Sequence, residues 1–164
     1  MFLRLETKMG VKVICENRKA RFNYEILEKL EAGIVLVGSE VKSLREGGGN
    51  LSDAYAHFNK DELWLANFHI AHYKAANQFN HELTRQRKLL VHRRELDRLY
   101  GKMQEKGLTL IPMSLYLKDG RVKVELGLGK GKKAHDKRDT IKKRESDREL
   151  KRVVKSVQRS YKDD

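Results

Sequence analysis

The chain has 164 residues, and its single cysteine, Cys15, excludes an intramolecular disulfide and a Cys-x-x-Cys metal or redox motif. It contains 36 Lys and Arg against 23 Asp and Glu, a formal net charge of +13 that favours a polyanionic ligand. No apolar run approaches the roughly 20 residues of a membrane span, and residues 1–6 lack the apolar core of a secretory signal. We therefore expect a cytoplasmic protein without a membrane anchor.

The charge is concentrated at the C-terminal end. Residues 130–164 hold 14 basic and 7 acidic side chains, and only 7 of these 35 residues are apolar. Such a segment cannot bury enough surface to offset the entropy lost on ordering. We predict a folded body that ends at residue 129, followed by a basic tail that is disordered when the protein is free.

The first half of the body is predicted to contain short strands and one helix. Apolar residues alternate along 22–30 as in a strand, although part of this segment also fits a helix, and both interpretations stay open. The next predicted elements are a turn over 31–33, a buried strand over 34–37, a helix over 39–46, and a hairpin with strands over 55–58 and 63–70.

The second half of the body begins with a strand over 88–91 and a capped helix. His92 takes the N-cap position, and Glu95 is spaced to complete a capping box. An apolar stripe at i, i+3, i+4 and i+7 follows at Leu96, Leu99, Tyr100 and Met103. Gly107 is placed to end this helix as a left-handed cap.

The clearest local pattern is a hairpin around Asp119-Gly120, a pair typical of a type I′ turn. Apolar residues alternate on both sides of it, whereas Arg121, Lys123 and Glu125 occupy the opposite face. Six or seven short strands with about three short helices predict a mainly β fold, a small OB-like barrel. Barrels of this kind commonly bind RNA on one face.

No motif predicts catalysis, a metal or a cofactor. His69 and His72 form a close pair without an evident third ligand. The segment 127–133 resembles a phosphate loop but is too short and lacks the Ser or Thr that holds Mg²⁺, so we interpret it as a flexible basic exit from the last strand. Carboxylates do not pair as a general acid and base. We therefore expect that the protein is not an enzyme.

Basic residues indicate RNA binding, because such side chains neutralise phosphates. Solvated charged faces are the ordinary alternative for many of them. Tyr24, Tyr73 and His135 are candidates for stacking on bases, although Tyr24 is equally suited to the core. The basic clusters are Arg18, Lys19 and Arg21; Arg85, Arg87, Lys88, Arg93, Arg94 and Arg98; and Lys118, Arg121 and Lys123.

The tail contains an apolar stripe at helical spacing, with basic residues on the other faces. We expect a helix that forms against a partner, because about a dozen residues are marginally helical alone in water. Packing on the body is the alternative. Binding to a membrane surface is disfavoured, since the apolar face lacks Trp and Phe. The stripe comprises Leu150, Val153, Val154, Val157 and Tyr161.

The sequence resembles the SmpB family, whose members bind transfer-messenger RNA (tmRNA, also called SsrA RNA) in bacterial trans-translation. The resemblance runs from about Val11 into the tail and leaves residues 1–10 as an N-terminal extension, 11–129 as the RNA-binding barrel and 130–164 as a ribosome-binding tail. The segments that carry it are 16–21, 31–34, 38–45, 87–90, 94–96, 99–102 and 130–138.

The resemblance implies a non-catalytic RNA adaptor. The barrel would hold the tRNA-like domain of tmRNA and deliver it to stalled ribosomes, and the tail would occupy the empty mRNA channel of the small subunit beyond the decoding centre. Elongation factor Tu is the implied further partner in the delivery complex, and the protein is expected to act as a monomer away from membranes. A general RNA chaperone or another ribosome-associated RNA-binding protein is the alternative.

Individual site residues are carried over from the same resemblance. Glu31 is unexpected on a basic surface: it either accepts hydrogen bonds from RNA donors, orients a neighbouring Arg, or stabilises a turn. The tmRNA-binding positions are Asn17, Glu31, Ala32, Gly33, Leu90 and Lys123, to which the first basic cluster adds Arg18. The ribosome-binding positions are Lys130, Lys132, Lys133, His135, Asp136, Lys137 and Arg138, to which the apolar stripe of the tail adds Val153 and Val154.

Overall fold

The computed structural model describes residues 10–104 and 107–160, which contain nine strands and four α-helices. The strands are β1 (Lys12–Glu16), β2 (Tyr24–Ile34), β3 (Gly49–Asn50), β4 (Tyr55–Asn59), β5 (Glu62–Ala66), β6 (His69–Ile70), β7 (Arg87–Leu90), β8 (Leu108–Lys118) and β9 (Arg121–Gly131). The helices are α1 (Arg18–Asn23), α2 (Gly38–Arg45), α3 (Arg93–Met103) and α4 (Ala134–Ser160), with a 3-10 helix over Lys74–Phe79. The chain divides into two compact units after Gly131.

The first unit is built on a seven-stranded antiparallel sheet, which confirms the mainly β prediction. Its strand order is β1-β8-β4-β5-β7-β2-β9, and β8 also pairs with β9. The pairings from β8 through β4, β5, β7, β2 and β9 therefore return to β8 and form a closed circuit. Strands β3 and β6 form a separate two-stranded sheet.

The hairpin of β8 and β9 has the predicted turn. Asp119 and Gly120 both have positive φ, 52° and 73°, as a type I′ turn requires. The pairing extends from Lys118 opposite Arg121 to Leu108 opposite Lys130. A register shift follows Pro112, which has no backbone N–H to donate to a neighbouring strand.

Two apolar clusters stabilise this unit. The main core fills the interior with fully buried side chains that include Leu65, Leu110 and Leu126. A second, smaller cluster packs Ala20 of α1 against Ile111 and Met113. Gly127 and Gly129 belong to this packing: a Cβ at position 127 would lie 3.0 Å from Met113 Cγ, and one at 129 would lie 3.1 Å from a backbone oxygen. Residues 127–131 are therefore part of β9, and the prediction of a flexible exit was wrong there.

Strand β2 corrects two predictions. Residues 24–30 are extended, whereas Phe22 and Asn23 belong to α1, so the strand interpretation is confirmed only from residue 24 onwards. The strand then continues through the predicted turn at 31–33. The predicted strand over 34–37 is wrong, because only Ile34 belongs to β2, and Val35 and Val37 are exposed. Gly33 allows β2 to pack closely against β7, because a Cβ at position 33 would lie 3.2 Å from the Cβ of Leu90.

The helices are partly as predicted. Helix α2 starts one residue early and ends before Gly47, whose φ is +85°. Helix α3 starts after His92 as predicted and buries Leu99 completely, but it ends at Met103, before Gly107. The sequence reasoning missed α1, which Asn17 caps by accepting a hydrogen bond from the Ala20 N–H at 3.0 Å.

The second unit contains α4, a 27-residue helix, in place of the predicted disordered segment. Residues 134–160 include neither glycine nor proline, the two residues that most oppose helix formation. The Asp136 carboxylate accepts a hydrogen bond from the Lys133 N–H at 3.1 Å, which is one half of a capping box. Acidic residues at 139 and 147 each precede a lysine by four positions, a spacing that supports a helix. Tyr161 of the predicted stripe lies outside the described residues.

Across the described residues, no helix is both long enough and apolar enough to cross a membrane.

Candidate nucleic-acid interface

The register of three strands brings four predicted RNA-binding residues together. Gly33 in β2 pairs with Leu90 of β7 on one side and with Lys123 of β9 on the other. Glu31, two residues earlier in β2, points to the same face of the sheet. These four residues line an open groove of about 580 Å³.

The groove has an apolar part and a basic part. Leu90, Val91 and Val122 contribute apolar surface, and the side chain of Leu90 is exposed. Arg121 and Lys123 contribute positive charge at the end nearest the turn of the β8–β9 hairpin. Apolar surface beside cations is suited to RNA, whose bases stack and whose phosphates carry charge.

The Glu31 carboxylate is held by three side chains. Its Oε2 accepts hydrogen bonds from the Tyr116 hydroxyl at 2.6 Å and from Lys118 Nζ at 3.0 Å. Its Oε1 lies 3.7 Å from Lys123 Nζ. Glu31 thus contacts two lysines on the hairpin, and the alternative in which it stabilises a turn is excluded because residue 31 lies within β2.

These contacts shift two pKa values in opposite directions. The hydrogen bonds from Tyr116 and Lys118, with the charges of Lys118 and Lys123, lower the pKa of Glu31 against the opposing effect of partial burial. Burial and the neighbouring Glu31 carboxylate raise the pKa of Tyr116. At neutral pH the pair is therefore a carboxylate that accepts from a neutral phenol.

Three other predicted tmRNA-binding residues lie elsewhere. The Ala32 side chain is buried in the main core, between the outward-facing positions 31 and 33. The Asn17 side chain is also buried, where its amide donates to the Leu51 carbonyl at 2.9 Å. Arg18 is the exposed first residue of α1.

Arg87, which the sequence placed in a basic RNA-binding cluster, is fully buried, and that interpretation was wrong. Its guanidinium donates to Glu40 Oε1 at 2.8 Å and to the Phe68 carbonyl at 2.6 Å. Arg85 donates to Glu40 Oε2 at 2.7 Å, and the Val37 N–H donates to the same oxygen at 2.9 Å. Burial by itself would raise the pKa of Glu40, but these hydrogen bonds and the charge of Arg87 outweigh it and lower the pKa.

Other basic residues near α3 are paired with acids. Lys102 and Arg98 both contact Glu28, and Lys88 contacts Glu62. Arg93 Nε lies 3.1 Å from Asp97 Oδ1, one helical turn later. These lysines and arginines contribute less free positive charge than their number in the sequence suggests.

The predicted ribosome-binding residues lie at the end of β9 and along the second unit. Lys130 is in β9, and Lys132 Nζ lies 3.4 Å from the Thr140 hydroxyl. Val153 and Val154 are exposed on α4, as is Leu150. Helix α4 begins at the segment that contains Asp136, Lys137 and Arg138; of His135 only the backbone is described.

Tyr116 is the site residue that the sequence reasoning missed. A signal was present: the Asp119-Gly120 turn sets the register that places Tyr116 opposite Lys123. Its contact with Glu31, 85 residues away, depends on the pairing of β2 with β9 and has no local sequence signal.

Within the described residues, no three His, Cys, Asp or Glu side chains are grouped as a metal site would require. His69 and His72 are therefore not joined by a third described ligand. The Cys15 thiol is partly buried, which raises its pKa to about 11.

A family model and curated relatives match most of this chain. The family model described as SmpB protein matches residues 14–156. The chain is 58% identical over 144 residues to the SsrA-binding protein of Desulforudis audaxviator, covering 88% of this chain and 94% of that protein. It is 57% identical over 148 residues to the SsrA-binding protein of Nostoc punctiforme, covering 90% and 96%.

A solved structure gives a similar result. The fold is similar to a chain from the work described as "tmRNA-SmpB: a journey to the center of the bacterial ribosome", with a TM-score of 0.63 and 51% identity. The similarity covers 73% of this chain and 85% of that chain.

Proposed function

Because the chain belongs to the SmpB family, we propose that it is an RNA-binding adaptor of trans-translation, which binds the tRNA-like domain of tmRNA and delivers it to stalled ribosomes. The observation that carries this function is the 51% identity to a chain solved in a tmRNA–SmpB ribosomal context. The protein acts by binding rather than by catalysis, and it works in the cytoplasm with the ribosome.

The groove between β7, β2 and β9 is the proposed contact with the tRNA-like domain. Lys123 and Arg121 face phosphates there, and Leu90 offers an apolar surface to a base or ribose. Ala32 contributes through its buried side chain, which keeps β2 in place, and Asn17 through its cap of α1. Arg18 is exposed and supplies a further phosphate contact.

The closed circuit of strand pairings supports an OB-like barrel as the body of the adaptor. Such a barrel presents the outer face of its strands to RNA, while its interior is filled by side chains. We assign residues 11–131 to this barrel, two residues beyond the predicted boundary because β9 continues to Gly131, 1–10 to an N-terminal extension and 132–164 to a ribosome-binding tail. The adaptor works as a monomer, and elongation factor Tu joins it in the delivery complex.

The second unit is the proposed contact with the ribosome. Lys132, Lys133, Lys137 and Arg138 concentrate positive charge around the start of α4, suited to ribosomal RNA at the decoding centre. Lys130, at the end of β9 in the first unit, is a further proposed phosphate contact. Asp136 caps the helix, and His135 is suited to stacking on a base. Further along α4, the exposed Val153 and Val154 offer an apolar contact within the mRNA channel.

A binding titration tests this function against a general RNA chaperone. The protein is titrated with the isolated tRNA-like domain and with unstructured RNA of equal length, at the same salt concentration. An adaptor binds the tRNA-like domain at least tenfold more tightly and supports tagging of a stalled nascent chain in a reconstituted system. Equal affinity for both RNAs, with no tagging, would favour the chaperone.

The tail is tested by replacing Val153 and Val154 together with Asp. Affinity for the isolated tRNA-like domain should stay within about twofold, because that contact is assigned to the body. Tagging of a stalled chain should fall at least tenfold, since buried carboxylates cannot replace an apolar contact. The control replaces both valines with leucine, which keeps the apolar surface and should retain tagging. Normal tagging by the Asp variant would show that α4 contributes only diffuse positive charge.

A further inference from the structure

Tyr116 and Glu31 are in contact although their strands are not neighbours. Strand β9 lies between β2 and β8, and the Glu31 side chain crosses it to reach the Tyr116 hydroxyl at 2.6 Å. A Glu side chain has several rotatable bonds, so a carboxylate at this position needs a fixed partner to hold one orientation. Tyr116 is stiffer, with two side-chain torsions, and is only partly exposed.

The orientation of the Glu31 carboxylate decides where two lysines lie. The Tyr116 hydroxyl and Lys118 Nζ share Oε2, which leaves Oε1 directed to Lys123 Nζ. The exposed fractions of the Lys118 and Lys123 side chains are 45% and 30%, so both side chains stay partly exposed while they contact the carboxylate. Without Glu31 the two like charges would repel each other and sample many rotamers.

This cluster also keeps a positive charge. The three basic side chains at this end of the hairpin outnumber the two carboxylates there, Glu31 and Asp119, and leave a net charge of +1. The burial that raises the pKa of Tyr116 keeps its hydroxyl protonated as a donor. One small open pocket of about 420 Å³ is lined by Glu31, Lys118, Asp119, Arg121 and Lys123.

We propose that Tyr116 is a positioning residue for RNA binding: its hydroxyl fixes the Glu31 carboxylate, which in turn holds the Lys118 and Lys123 ammonium groups as a pair that grips the RNA backbone. This inference rests on the proposed function and assigns Glu31 an organising role in place of direct recognition of RNA donors. It also adds Lys118 to the RNA-binding residues.

A double-mutant cycle tests the proposal with the full-length protein and the isolated tRNA-like domain. Tyr116→Phe removes one hydroxyl and keeps the ring, so the affinity should fall about three- to tenfold, the size of one lost hydrogen bond. In a Glu31→Gln background the same substitution should change the affinity by less than about twofold, because Tyr116 acts through the carboxylate. Independent, additive losses would overturn the proposal.

A matched control is Tyr55→Phe, which removes a hydroxyl from an exposed tyrosine of β4 that does not line the groove. Its affinity should equal that of the wild type. If the wild type prefers the tRNA-like domain to unstructured RNA and Tyr116→Phe binds it equally well, the positioning role is wrong while the adaptor function stands. If the wild type shows no such preference, the proposed function itself fails.

Discussion

Two carboxylates in the first unit each join two basic side chains, but in different surroundings. Glu40 is fully buried and binds Arg85 and Arg87, and Arg87 is also fully buried. Glu31 has 37% of its side chain exposed and binds Lys118 and Lys123 at the open groove. Both carboxylates have a lowered pKa, so both are charged at neutral pH.

The difference shows what the two clusters do. Removing one partner of a buried ion pair leaves the other charge uncompensated, so Glu40 and Arg87 serve the fold, and Arg87 is withdrawn from RNA. Exposed ions are screened by solvent and contribute little to stability, which leaves the Glu31 cluster free to serve binding. Two groups of basic residues that look alike in the sequence therefore have separate roles.

The largest expected difference between the Glu40 and Glu31 clusters is in their contribution to the free energy of unfolding. Glu40→Gln removes the carboxylate that two guanidinium groups contact, one of them fully buried, and should reduce the free energy of unfolding by about 3–5 kcal/mol. Glu31→Gln should reduce it by less than about 1 kcal/mol. Urea denaturation of both variants at pH 7 measures the difference, and equal losses would contradict the assignment of separate roles.

A second effect concerns acid stability. Since the pKa of Glu40 is lowered in the folded protein, its contribution to stability is present above about pH 4.5 and is lost as the pH falls through the folded value. Arg85→Gln removes a hydrogen bond that lowers this pKa, so the folded value moves up towards the unfolded one. The acid loss should therefore be smaller and should be complete at a higher pH, with about 1–2 kcal/mol less stability at pH 7.

Denaturation midpoints measured from pH 3 to pH 7 check this second effect. Glu31→Gln is the comparison, and its acid profile should stay close to that of the wild type because Glu31 is partly exposed and screened. An Arg85→Gln profile that coincides with the wild type at every pH would show that Arg85 does not control the titration of Glu40.

The smallest effect is on RNA affinity. Lys123→Ala removes one ammonium from the groove and should weaken binding of the tRNA-like domain about three- to tenfold, with the salt-dependence slope reduced in magnitude by up to about 1. Lys102→Ala, whose lysine contacts Glu28 on α3's side of the sheet, is the control and should leave the slope unchanged. An unchanged slope for Lys123→Ala would remove this lysine from the phosphate contacts.

The sequence was sufficient where a local pattern determines the structure. The Asp119-Gly120 pair fixed the turn and the inward alternation of β8 and β9, and the spacing after His92 fixed the start of α3. Gly33 misled the reasoning, because a glycine that permits close packing against Leu90 looks the same in a sequence as a glycine that forms a turn. A helix was predicted only along the apolar stripe that starts at Leu150, and only against a partner; the full length of α4 from Ala134 was missed because composition alone suggested disorder.

The site was predictable in part, and mainly through the family resemblance. Glu31, Gly33, Leu90 and Lys123 were assigned to one function, and the strand register brings them together. The burial of Arg87 and the contact between Tyr116 and Glu31 depend on strand pairings between distant segments. Charge and spacing along the chain carry no information about such pairings.

Helix α4 fixes the direction in which each residue of the second unit faces around the helix axis. Each residue of an α-helix advances about 1.5 Å and turns about 100°, so 27 residues form a rod about 40 Å long. Lys137 and Arg138 near its start therefore keep a set direction relative to Val153 and Val154. A single residue inserted between positions 139 and 149 would rotate Val153 and Val154 by about 100° relative to Lys137 and Arg138. In a flexible chain the same insertion would not change their relative directions in any fixed way.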